Sequence, residues 1–146
     1  MRITLSVIKA DIGSIGGHTS PSPEVVDIVQ AHVARARGRL LIDSYVSHTG
    51  DDIAIIMTHD RGADDPDVHR VAWDAFRAAT EKAKAQGLYG AGQDLLKDAF
   101  SGNVRGLGPA SAEVMCDERP TEDGRGFSAP RCSTYRSSNM EELPPD

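Results

Sequence analysis

An α+β fold, an antiparallel sheet carrying two helices on one face, is predicted by three features of the sequence. Its periodic segments run in the order β-α-β-β-α-β, the split βαβ pattern. Two of them open on a capping residue followed by proline, Ser22-Pro23 and Asp65-Pro66, as helices do. The segment 52–58 places Ile53, Ile55 and Met57 on one side and Ala54 and Ile56 on the other, so this strand must be covered on both faces. Two helices cover one face only, and the other needs a further layer or a partner.

The first strand shows the two-residue period in Ile3, Leu5 and Val7 against Arg2, Thr4 and Ser6, and the apolar set is expected to face the core. Asp11 falls just past its end, and Gly13, Gly16 and Gly17 allow a sharp return that can bring His18 back toward it. An aspartate and a histidine brought together suit a divalent cation. The stretch reads equally as a strand followed by a loop with an aspartate in its turn. The first helix has the stripe Val25, Val29, His32, Val33 and Ala36, with His32 a packing residue and Gly38 the stop. Strands over 40–46 and 52–58 flank a 47–51 hairpin link with Asp51 and Asp52 at its tip. Adjacent carboxylates repel unless a cation or proton intervenes, although a solvated turn accounts for such a pair as well. The second helix carries Val68, Val71, Ala72, Ala75, Phe76, Ala79 and Ala83 to a Gly87 stop. A long glycine-punctuated connection over 88–109, with a short helix at 93–100, precedes a last strand at 112–117. From 121 to 146 the chain is polar and without sustained period, and no regular structure is expected there.

Composition excludes several classes of function. The chain has 146 residues, 39% apolar and 26% charged, and a net charge of −6, with no basic run for nucleic acid or an anionic membrane. No apolar run approaches a bilayer span and no export signal opens the chain, so a cytoplasmic location is expected. Cys116 and Cys132 are too few for a disulfide framework or a zinc site and are expected to be free thiols.

Five motifs carry a resemblance. They are Val-Ile-Lys-Ala-Asp-Ile-Gly-Ser at 7–14 with His18, His-Thr-Gly-Asp-Asp at 48–52, Met-Thr-His at 57–59, Gly-Leu-Tyr-Gly-Ala-Gly-Gln-Asp at 87–94, and Asp-Ala-Phe-Ser-Gly-Asn-Val-Arg-Gly-Leu-Gly-Pro at 98–109. Together they resemble the N-terminal part of the fructose-1,6-bisphosphate aldolase/phosphatases, bifunctional gluconeogenic enzymes of archaea and deeply branching bacteria, over residues 1 to about 120. The resemblance implies half of a four-layer αββα sandwich. It also implies a magnesium-dependent enzyme that condenses two triose phosphates and then dephosphorylates fructose 1,6-bisphosphate to fructose 6-phosphate. Carried over by motif, Asp11, His18, Asp51, Asp52 and Gln93 match magnesium ligands. His18, Tyr89, Gly102 and Asn103 match substrate contacts, and Asp11 matches the proton acceptor of the phosphatase step.

The resemblance ends where the family continues with an apolar strand into an active-site Asp-Lys pair and this chain has Glu122-Asp123-Gly124-Arg125. The family's Schiff-base lysine and catalytic tyrosine belong to its later part, and none of Lys9, Lys82, Lys84 or Lys97 stands in such a context. The expectation is a truncated chain, an N-terminal part at 1–120 with a divergent tail at 121–146, impaired as an aldolase and self-associating or aggregating through its open sheet face. The alternative is a non-enzymatic split-βαβ module that binds a metal or a sugar phosphate.

Overall fold

The computed structural model describes residues 1–14, 20–95, 109–120 and 127–137. Its elements are β1 (Arg2–Asp11), α1 (Pro23–Ala34), β2 (Asp43–Thr49), β3 (Asp52–His59), α2 (Pro66–Ala85), a 3-10 turn at Gln93–Leu95, β4 (Ala110–Pro120) and β5 (Phe127–Ser137). All strand pairs are antiparallel, in the order β2-β3-β1-β4-β5. The α+β class and the β-α-β-β-α-β order hold, and β5 is added at the edge. None of the helices described is long and apolar enough to cross a membrane.

The helices form for local reasons and then bury one stripe each. Asp65 caps α2, its carboxylate accepting from the Asp67 and Val68 amides at 3.1 Å each, and Pro66 occupies the first turn, where no donor is lost. Ser22 does not cap α1 in this way; its hydroxyl donates to the Glu24 carboxylate instead. Val25, Val29 and Val33 of α1 and Val68, Ala72, Ala75, Phe76, Ala79 and Ala83 of α2 join Ile8, Ala10, Ile53, Ile55 and Met57 of the sheet in one core.

Both helices therefore lie on the sheet face of Ile53, Ile55 and Met57, and the register corrects the expected orientation of β1. Ser6 pairs with Met57, Ile8 with Ile55 and Ala10 with Ile53, so even-numbered residues of β1 face the helices. Ile3, Leu5 and Val7 point to the other face, where Leu5 is 37% exposed. The inversion has a chemical cause. Thr4 and Ser6 are fully buried beside His59 and Glu113, in a polar cluster that takes the positions the period assigned to solvent.

Three further expectations change. The β2–β3 link is a two-residue turn, Gly50–Asp51, with Gly50 at φ +64, so Asp52 opens β3 and does not sit at the tip. Residues 127–137 of the tail are a strand, because β4 extends to Pro120 and offers a free edge on which alternating polar residues pair without needing a buried face. Cys116 and Cys132 are not free. They face each other across β4 and β5 with Cα atoms 4.1 Å apart and form a disulfide, a proximity that depends on β5 existing at all.

Candidate cation and phosphate site

The end of β1 meets the start of β3 at one point. Asp11 pairs directly with Asp52, which puts both carboxylates on the same sheet face, and Asp51 adjoins them in the turn. Beyond Asp11 the chain is held against the segment after α2. Ser14 N–H donates to the Tyr89 carbonyl at 3.1 Å, Tyr89 N–H returns to the Ser14 carbonyl at 2.8 Å, and Gly92 N–H reaches the Ile12 carbonyl at 3.2 Å. Gly13 makes this approach possible. At φ +111, a Cβ there would lie 2.8 Å from the Ala91 Cα. Gly92, at φ +75, sits as tightly against the Thr80 side chain. The result is delivery of Asp94, whose Oδ2 accepts from the Asp11 amide at 2.7 Å.

Four carboxylates, Asp11, Asp51, Asp52 and Asp94, thus lie near enough for their charges to act on one another, and Asp11 feels the other three. Burial and then the negative charges of Asp51, Asp94 and Asp52 push its carboxyl above the usual range, while the Gly13 amide, donating at 2.9 Å, works the other way. Lys9 stands on the same face two residues before Asp11 and hydrogen-bonds Asp52, which raises the ammonium against the cost of its burial; Asp94 and Asp11 add to the effect.

Of the residues expected from the sequence, Asp11, Asp51 and Asp52 are brought together. Tyr89 lies at the rim, 81% exposed, anchored through its backbone to Ser14. Gln93 is in the 3-10 turn before Asp94, but its side chain lies outside the described residues, as do His18, Gly102 and Asn103. Two participants were missed. Asp94 closes the motif at 87–94, and its role depends on a contact across 83 residues of chain. Lys9 could have been found from the strand period, which puts residues 9 and 11 on one face.

The sequence matches the family model described as fructose-1,6-bisphosphatase over residues 2–135. The chain belongs to that family. It is 59% identical over 122 residues to a fructose-1,6-bisphosphate aldolase/phosphatase of Thermus thermophilus, a match covering 84% of this chain and 34% of the relative. To proteins of the same name from Cenarchaeum symbiosum and Ignicoccus hospitalis it is 55% and 57% identical, over 88% and 83% of this chain and 34% and 32% of theirs. The chain spans about a third of the length of these curated relatives. The family match reaches into β5, beyond residue 120, near which the resemblance was expected to end.

A second polar cluster lies on the helix-covered side, around Glu113, which is 1% exposed. Arg61 N–H points at His59 Nδ1 at 3.4 Å, so the His59 proton is on Nε2, 2.8 Å from Ser6 Oγ; the serine in turn donates to Glu113 Oε1 at 2.6 Å. His69 Nε2 donates to the same oxygen at 3.2 Å and the Asp64 amide to Oε2 at 2.6 Å. Burial raises the Glu113 carboxyl, but these donors outweigh it and hold the pKa at about 2. Burial keeps His59 below its ordinary value, which agrees with a neutral ring. Asp64, His69 and Glu113 have the ligand types and spacing to hold a metal. Ser6, His69 and the Asp64 amide already occupy the Glu113 oxygens, so the cluster is read as structural.

Proposed function

We propose that the chain carries the magnesium- and phosphate-handling part of a fructose-1,6-bisphosphate aldolase/phosphatase and acts on fructose 1,6-bisphosphate, releasing phosphate and leaving fructose 6-phosphate. The observation that carries the reading is that the β1–β3 register and the Asp94 contact gather Asp11, Asp51, Asp52 and Asp94 into one acidic neighbourhood. Four carboxylates are hard oxygen donors with more negative charge than nearby groups neutralise, a donor set suited to Mg2+. Asp11, His18, Asp51, Asp52 and Gln93 would hold it, and the bound cation would supply positive charge to the phosphate oxygens and acidify a water.

The chain's own residues then divide the work. Asp11, whose carboxyl is pushed up by burial, takes the proton of the attacking water. His18, Tyr89, Gly102 and Asn103 orient the sugar phosphate. Lys9 is no candidate for an imine with a triose phosphate, because such a step needs a neutral amine and Asp52 favours the ammonium. Aldol condensation is therefore absent from the proposed activity. Borohydride trapping in the presence of dihydroxyacetone phosphate is expected to leave all four lysines unmodified, and an adduct on any of them would refute this.

Association of chains through the open sheet face completes the reading. A second reading, a binding module without turnover, is favoured by one observation: Asp11 and Asp52 lie on the sheet face opposite the helices, which the described residues leave uncovered. Phosphate release from fructose 1,6-bisphosphate with Mg2+ separates the two. Release that falls about 100-fold or more in Asp11→Asn supports the enzyme. Calorimetric binding of the sugar bisphosphate with no release supports the module.

A further inference from the structure

Lys9 is half-exposed, with 49% of its side chain open, yet its ammonium is committed to Asp52, itself 26% exposed. The commitment follows from register. Lys9 pairs with Ala54 and Asp11 with Asp52, so Lys9 and Asp52 are diagonal neighbours on one face. From there the ammonium also feels Asp94 and Asp11. An ammonium has three donors and no lone pair, so while protonated it cannot share a cation's coordination shell. It and a divalent cation are both drawn to the Asp52 carboxylate, and held that close the two positive charges repel each other.

We propose that Lys9 is a resident counter-ion of the carboxylate cluster, one that holds Asp52 when no divalent cation is bound and gives it up when one binds. This rests on the magnesium reading above. Lys9 is thus a positioning residue: it keeps the end of β1 and the start of β3 in register against carboxylate repulsion, and it sets a threshold that only a cation of higher charge density crosses. An ordinary exposed ion pair would do neither, since such pairs contribute little.

Two measurements on the full chain test this. In calorimetric titration with Mg2+, Lys9→Met should bind about three- to tenfold more tightly than wild type, while Lys9→Arg should stay at or below wild-type affinity. In the wild-type protein, reductive methylation of Lys9, followed by peptide mass, should quicken about threefold when saturating Mg2+ releases the ammonium, while Lys82 and Lys84 should not change. Affinity in Lys9→Met equal to or below wild type overturns the proposal and leaves the magnesium site standing. If Lys9→Met does not fold, methylation decides alone, and a Lys9 rate that does not rise overturns it. Wild-type protein that gives no Mg2+ heat, and is indistinguishable from Asp51→Asn/Asp52→Asn, removes the magnesium reading and this proposal together.

Discussion

Glu113 is the residue on which most of the buried polar chemistry rests. Its folded pKa of about 2 lies below its ordinary 4.5, so the folded state binds fewer protons than the unfolded state between those values. The stabilisation is complete above about pH 4.5 and is lost as pH falls toward 2; its size is roughly 3 kcal/mol. Urea titrations between pH 6 and 2.5 should show that decline, and Glu113→Gln should flatten it while lowering neutral-pH stability by about 2–4 kcal/mol. Gly13 is the second decisive residue. Gly13→Ala combines a positive φ with a 2.8 Å approach to the Ala91 backbone, and a loss of at least about 1–3 kcal/mol is expected. Hydrogen exchange should report it as lost protection at the Ser14 and Tyr89 amides, which the segment 89–92 shares with the strand end.

Among the elements, the helices and the β2–β3 hairpin were legible because capping residues, apolar stripes and turn glycine are local signals. The orientation of β1 was not. Alternation identifies two faces without saying which is inside, and the choice fell to Ser6, whose hydroxyl links His59 of β3 to Glu113 of β4 across 53 and 107 residues of chain. β5 escaped for a related reason: it is an edge strand without an apolar face, defined by the ladder to β4 and by the Cys116–Cys132 bond over a separation of 16. A loop of that size constrains the unfolded chain by about 3 kcal/mol. Reduction, or Cys132→Ser, should therefore release β5 first. Exchange at 130–137 should rise while the β1–β3 ladder stays protected, and uniform destabilisation of all five strands would contradict this.

For the molecule as a whole, the consequential feature is the sheet face away from the helices. Val7 and Ile56 pair at its centre, flanked by Tyr45 and Ala112, with Leu5 and Val114 in the next row. Tyr45 is 67% exposed and Leu5 37%, so this apolar surface has no cover among the described residues. A contiguous apolar face without cover marks an association surface. At roughly 25 cal/mol per Å², covering it offsets several kcal/mol. Freshly purified protein should scatter as dimers or larger species, and Ile56→Lys should shift it toward monomer with its fold intact. A wild-type monomer at high concentration would show that the face tolerates water.

The sequence by itself determined the α+β class, the order of the elements, the helix boundaries to within a turn, the family, and three of the four converging carboxylates. These are carried by residues close together in the chain: caps, periods and short motifs. Only the tertiary structure decided which face of β1 is buried, that Asp94 completes the cluster, that Lys9 is held by Asp52, and that Cys116 and Cys132 are bonded. Each of these depends on a side chain finding its partner across a sheet register or a close backbone approach. Periodicity and spacing along one strand carry no information about the residue that stands opposite.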